Sequence, residues 1–191
     1  MSEQAVHRII FSGHMIDKKS QARPRFPASK EKIVKISIRE VLSKEKYAAK
    51  NNIQCFAGGA CGGDILFHEV CQELTIPSEI ILSSPVENFM KQSVSICGSE
   101  WKLRLEKLLT KLHVHQINEN AGEKKGINIY ELINEELFKR GMEKGKDKLT
   151  LIALWDGEKS NQKGGTYKVI ETARNLNINE KIINIKKLKE I

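Results

Sequence analysis

Six short runs of apolar and β-branched residues, at 8–12, 53–57, 79–83, 113–117, 149–155 and 181–185, punctuate the chain. Runs of this length and composition read as strands. Between them lie longer segments whose apolar positions recur every three or four residues, as in amphipathic helices. These are 30–50 (Ile33, Ile36, Val41, Leu42), 65–74, 98–112 (Trp101, Leu105, Leu108, Leu112), 129–142 (Ile129, Leu132, Ile133, Leu137, Phe138) and 167–175. Strand and helix alternate, which predicts an α/β protein: a three-layer sandwich with a mainly parallel central sheet of about six strands and helices on both faces.

Two segments break the rhythm. Residues 13–29 are too rich in proline and charge for a buried element and read as a long binding loop after the first strand, whereas the polar residues 118–126 read as a mobile surface connection. With 191 residues, 40% of them apolar, the chain suits a single domain spanning 1–191. The formal charge of +8 raises the question of nucleic acid. The lysines are spread along the chain without interleaved aromatics, so a solvated basic surface is expected and nucleic acid is not the expected partner. The four cysteines (Cys55, Cys61, Cys71, Cys97) form no Cys-x-x-Cys pair and have no histidine at finger spacing. No metal site is expected, and the thiols are expected to stay reduced in a cytoplasmic protein. No signal-like or membrane-spanning segment is visible, so no membrane partner is expected.

The chemistry concentrates at strand-to-helix turns. Residues 58–64 read Gly-Gly-Ala-Cys-Gly-Gly-Asp between the second strand and its helix. Glycines let backbone approach a ligand closely and leave the first N–H groups of the helix free for an anion. This predicts a phosphate cradle formed by Gly59, Cys61, Gly62, Gly63 and Asp64; the plainer account is a tight turn that packs helix on strand. Asp64 serves either as a helix cap or as a ligand contact. His68 and Glu69, on the first turns of that helix, read as solvent-exposed.

A second glycine turn, Lys163-Gly164-Gly165-Thr166, follows the fifth strand, and the Thr166 hydroxyl suits either a helix cap or a phosphate. Ligands of open parallel sheets bind outside the carboxyl ends of the strands. At that edge fall Gly13 and His14 after the first strand, Ser83-Ser84-Pro85 after the third, and Asp156 after the fifth. Asp156 suits a pair of ribose hydroxyls or a simple Asp-Gly turn. In the 13–29 loop, Arg23 and Arg25 offer cationic donors for phosphate, and His14 suits acid–base work. A structural role is the plainer account of Arg25, flanked by prolines at 24 and 27. Trp101 and Trp155 sit inside apolar patterns and read as core.

Taken together, Phe11-Ser12-Gly13-His14-Met15-Ile16-Asp17, Arg25-Phe26-Pro27, Gly59-Ala60-Cys61-Gly62-Gly63-Asp64, Pro85-Val86-Glu87-Asn88-Phe89, Trp155-Asp156-Gly157 and Gly164-Gly165-Thr166 resemble the SLOG superfamily of Rossmann-like domains. That group includes the lonely-guy phosphoribohydrolases and nucleotide-sensing domains of signalling and defence proteins. The resemblance implies a Rossmann-like fold and a nucleotide or nucleotide-sugar site with phosphate near the two glycine turns. The phosphoribohydrolases carry a glutamate two or three residues past the threonine of their glycine turn. This chain has Lys168 and Val169 there, and its nearest carboxylate, Glu171, lies on another helix face.

The expected function is therefore a sensor module that binds a nucleotide-derived small molecule, ADP-ribose-like in kind, without a cofactor. It would signal to a fused or associated effector or act as a homo-oligomer. The alternative is an N-glycosidase or ribosyltransferase drawing its catalytic carboxylate from Asp64, Glu69 or Glu171. Nucleic-acid binding ranks last.

Overall fold

The computed structural model describes residues 6–18, 21–117, 128–160 and 164–189. Six strands, β1 (His7–Gly13), β2 (Ile53–Ala57), β3 (Ser78–Leu82), β4 (His113–Gln116), β5 (Leu149–Trp155) and β6 (Asn179–Asn184), form one sheet. The order is β4-β3-β2-β1-β5-β6, and every neighbouring pair is parallel. The helices are α1 (Glu31–Ala48), α2 (Gly63–Glu73), α3 (Val86–Ser93), α4 (Ser99–Leu109), α5 (Ile129–Met142) and α6 (Thr166–Asn175). This is the Rossmann-like three-layer architecture expected from the alternation of patterns.

Side chains of a strand point to opposite faces in turn, and here both faces are covered. Ile9 and Phe11 of β1, Ile80 and Leu82 of β3, and Ile152 and Leu154 of β5 join one buried cluster, shared with Val34, Ile38, Leu66, Phe89 and Trp101 from α1 to α4. Ile10, Ile81, Leu151 and Ala153 point the other way and meet Leu137 and Phe138 of α5 and Val169 and Ile170 of α6. The chain winds from β1 outward to β4 and then returns to β5 on the other side of β1. With right-handed crossovers, the two directions of winding place their helices on opposite faces.

Three expectations need correction. α3 was not foreseen, because two turns are too short for helical recurrence to stand out from the preceding Ser-Ser-Pro. His68 is fully buried rather than exposed. Its Nε2 lies 3.0 Å from the Gly58 carbonyl, which only accepts, so Nε2 carries the proton and Nδ1 accepts from the Ser78 hydroxyl at 3.1 Å. The ring thus ties α2 to the glycine turn and to β3. Finally, the cysteines are not all reduced: Cys61 and Cys97, 36 residues apart, are disulfide-bonded, while Cys55 and Cys71 are free and buried. No spacing motif marks that pair, because the fold-back of α3 over the glycine turn brings it together. The predicted connection at 118–126 lies outside the described residues.

Candidate functional site

The winding reverses between β1 and β5, which stay paired to Gly13 and Leu154, so the chains leaving their carboxyl ends turn to opposite faces of the sheet and leave a crevice, the place where parallel sheets of this kind take ligands. A cavity of about 750 Å³ opens there. Its floor is Ser12, Gly13 and His14 at the end of β1; its walls are Phe89 and Ser93 of α3, Ile133, Asn134 and Leu137 of α5, and Gly164, Gly165 and Thr166 at the start of α6.

His14 and Asp156, just beyond the two central strands, meet at this point and are 5% and 4% exposed. The His14 Nδ1 faces an Arg25 guanidinium N–H, which can only donate, so Nδ1 accepts. The proton of the neutral ring therefore sits on Nε2, donated to Asp156 Oδ1 at 3.0 Å. Burial holds the His14 pKa below its ordinary value, although the hydrogen bond to Asp156 works against this. Arg25 Nε lies 3.7 Å from the other Asp156 oxygen. The 13–29 loop is built to deliver that arginine. Asp17 accepts hydrogen bonds from the Arg25 and Phe26 amides at 2.9 Å each, and the buried Phe26 anchors the turn.

Two roles change as a result. His14 has both nitrogens engaged and is a connector rather than a free base. Asp156, which also accepts from the Glu158 amide at 3.1 Å, spends its carboxylate on protein donors rather than on a ribose. Arg23 is exposed.

The 58–64 turn is likewise occupied from within. Cys61 N–H donates to the Ser93 carbonyl and Gly63 N–H to the His14 carbonyl, both at 3.0 Å. The Ala60 amide donates to Asp64 Oδ2 at 3.3 Å, and the Gly13 amide also donates to that carboxyl group. Asp64 sits where a phosphate would and takes the amides a phosphate would need. Gly62 has φ +99°, and a Cβ there would meet the Ile16 nitrogen at 2.4 Å, so this glycine serves the close approach of the 13–16 segment. Of the predicted cradle residues only Asp64 lines the cavity, beside Gly58 and Ala60 of the same turn; Gly59, Cys61, Gly62 and Gly63 do not.

The second glycine turn is placed differently. Gly164 has φ +80° and packs on Tyr130, whose Cβ leaves no room for a side chain, while its carbonyl accepts from Asn134 Nδ2 at 3.2 Å. α5 itself is started by a reciprocal cap between Asn128 and Glu131. That Asn-x-x-Glu pattern is a sequence signal for the start of the helix that forms this cavity wall. The turn leads into α6, where Ser12 Oγ lies 3.5 Å from Thr166 Oγ1 and the backbone N–H groups of Thr166 and Tyr167 make no hydrogen bond among the described residues. The Thr166 side chain is not a cap; Gly165 occupies that position.

The remaining carboxylates lie elsewhere. Glu69 is held by a two-pronged Arg104 (2.6 and 2.7 Å) and by Lys35 (2.9 Å) on the α1–α2–α4 face, and Arg104 stacks over Trp101. Glu171 pairs with Lys168 on the outer side of α6. Ser83 and Ser84 are buried but do not line the cavity. Trp155 is partly buried and stacked on Tyr167. Among the described residues no three His, Cys, Asp or Glu side chains gather as metal ligands, and no helix is long and apolar enough to cross a membrane.

Burial pushes the Asp64 carboxyl up to about 7 and the His68 imidazole down to about 4. At pH values between an ordinary carboxylate's and 7, folded Asp64 holds a proton that the unfolded chain has released. Its contribution to stability is therefore lost as pH rises toward 7. His68 acts in the opposite sense: below its ordinary value the unfolded ring takes up a proton that the buried ring refuses until about 4, so stability falls as pH falls. Asp64→Asn removes the first effect and leaves the second. Urea titrations between about pH 5 and 6 should show the unfolding free energy rising more steeply with pH in the variant, by about 1.2 kcal/mol per pH unit, a little under the value for one full proton. An unchanged slope would mean that Asp64 titrates as an ordinary carboxylate.

The fold and site define a doubly wound parallel α/β protein with a switch-point cavity. No protein-family model and no curated protein matches the chain. Among solved structures, it is similar to DNA processing protein A (DprA) from Streptococcus pneumoniae, at 10% identity and a TM-score of 0.44. The likeness covers 92% of this chain and 58% of that one.

Proposed function

We propose that residues 1–191 form one Rossmann-like unit of SLOG type, whose switch-point cavity binds a nucleotide or nucleotide-sugar derivative, ADP-ribose-like in kind. Its occupancy signals to a fused or associated effector. The observation that carries this reading is the mixed lining of the cavity. The Thr166 and Tyr167 amides, which make no hydrogen bond among the described residues, the Ser12 and Thr166 hydroxyls and the Arg25 guanidinium are the donors that phosphate oxygens require. Phe89 of α3 and Ile133 and Leu137 of α5 add apolar surface for a base. The resemblance of the turn and loop residues to SLOG domains supports the same ligand class, with phosphate at α6 rather than at the 58–64 turn.

Thermal unfolding with ADP-ribose, AMP and NAD tests it. A ligand at a hundred times its dissociation constant adds about 2.7 kcal/mol of stability. Thr166→Glu places a carboxylate where phosphate is expected and should abolish the shift, whereas Lys107→Ala on α4 should preserve it. A shift that survives Thr166→Glu removes the phosphate from α6.

One observation favours a second reading. Asp64, whose pKa lies near neutrality, faces the cavity and suits proton donation to a departing base in N-glycosidic cleavage. Chromatography of the same incubations decides: the sensor reading expects no free base, and release that disappears in Asp64→Asn would replace it with the enzyme.

A further inference from the structure

The Cys61–Cys97 bond joins the glycine turn to the Ser95–Cys97 3-10 turn between α3 and α4. Ile96 and Cys97 of that turn line the cavity, as does Ser93 at the end of α3 just before it. Apart from the disulfide, the described backbone tie between segment and turn is the Cys61 amide to the Ser93 carbonyl. Val94 is fully buried beside it, while Ser95 and Ile96 are exposed. The wall over the β1 end is thus pinned covalently at one end of a short, partly exposed piece of chain.

We propose that Cys61 and Cys97 are a thiol–disulfide modification site, reduced by a dithiol that enters through the cavity, and that their state sets how firmly this wall closes on the ligand. The two sulfurs differ in access: Cys61 is fully buried, and Cys97 is half-buried and lines the cavity. Exchange therefore begins at Cys97. A thiolate of the dithiol attacks Cys97 Sγ, the Cys61–Cys97 bond breaks, and its electron pair leaves on Cys61 Sγ, which takes up a proton. The second thiol of the reagent then attacks its own sulfur in the mixed disulfide, releasing Cys97 as a thiol and the reagent as a cyclic disulfide. Two electrons pass from reagent to protein, and no other reactant is needed. Because ligand and reagent use the same opening, a bound ligand slows the exchange. Separately, a wall held closed by the bond grips the ligand more tightly than a loosened one, and by linkage the bound ligand then favours the oxidised pair. Cys55 and Cys71, buried away from the cavity, are internal controls.

The exchange stands on the cavity geometry alone; its effect on affinity rests on the ligand reading given above. The full chain, oxidised in air and then treated with dithiothreitol, is alkylated under denaturing conditions and mapped by peptide mass. Two alkylated cysteines before treatment (55 and 71) and four after are expected. Amide exchange over residues 93–98 should speed up on reduction, and affinity for ADP-ribose should fall roughly tenfold, within the usual range of coupling between sites. Cys97→Ser should match the reduced protein with or without dithiothreitol. Four alkylated cysteines in the oxidised sample, or amide exchange and ADP-ribose affinity indifferent to reduction, would overturn the proposal. If amide exchange responds but ADP-ribose binds in neither state, the ligand reading fails and the thiol switch stands.

Discussion

Gly62→Ala is expected to destabilise the protein by about 3–5 kcal/mol, among the largest effects of any single substitution. Two costs add. At φ +99° any side chain is strained, which is worth about 1–2 kcal/mol. The larger cost is steric. A Cβ at this position lies 2.4 Å from the Ile16 nitrogen, 2.9 Å from the Met15 carbonyl carbon and 3.0 Å from the His14 oxygen. All three are backbone atoms, so no rotamer change relieves the contact. The segment they belong to is fastened in place by Ile16 N–H to Cys61 carbonyl (3.2 Å) and Gly63 N–H to His14 carbonyl (3.0 Å). Relief means breaking that bridge and with it the cavity floor. Gly98→Ala separates the two costs: its φ is +127°, and the nearest atom to an added Cβ, on Glu100, is 3.8 Å away. Its loss should be confined to about 1–2 kcal/mol. Equal losses for the two variants in urea denaturation would show that the close approach at Gly62 carries no energy of its own.

The second large effect is expected for Asp156→Ala, about 3 kcal/mol. Removing one partner of a buried charged group leaves the others desolvated and unpaired. Here the unpaired groups are the His14 Nε2–H, the Arg25 guanidinium and the Glu158 amide. Asp156→Asn keeps an oxygen for the His14 proton and gives up only the charge opposite Arg25, so about half the loss is expected. The His14 ring reports independently. The hydrogen bond it donates to Asp156 raises its pKa against burial and against Arg25, so in Asp156→Ala the ring should titrate still lower. Stability by chemical denaturation and the imidazole NMR titration together check the arrangement. A ring pKa that moves upward would mean that His14 and Asp156 are not joined as described. Arg25 loses its hold as well, so, on the ligand reading proposed above, ADP-ribose affinity should fall with stability in both variants.

Much of the architecture was legible along the chain. Strands β2 and β5 and helix α5 coincide with their apolar runs, and the other strands differ by one or two residues at their ends. Strand alternation and helical recurrence are local consequences of which side chains must leave water, so they survive any detail of packing. The convergence of His14, Asp156, Arg25 and Thr166 was foreseeable for the same reason: each follows or precedes a strand end, and parallel topology brings those ends to one edge. What each of them does there was not foreseeable. Whether a glycine turn offers its amides to a ligand depends on whether another part of the chain has already claimed them, and Asp64, His14 and Ser93 had.

The sequence by itself therefore determined a parallel α/β sheet with its chemistry at the carboxyl edge, because periodicity and turn residues act over a few neighbours. Tertiary structure alone decided which hydrogen-bond donors remain free, which carboxylates are spent on arginine, and which two of four cysteines meet. Those outcomes depend on distances between residues 30 to 150 places apart, as in Cys61–Cys97, Arg104–Glu69 and His14–Asp156, which only the packed chain sets. So the glycine turn at 58–64 packs the molecule, and the turn at Gly164 to Thr166 faces the cavity.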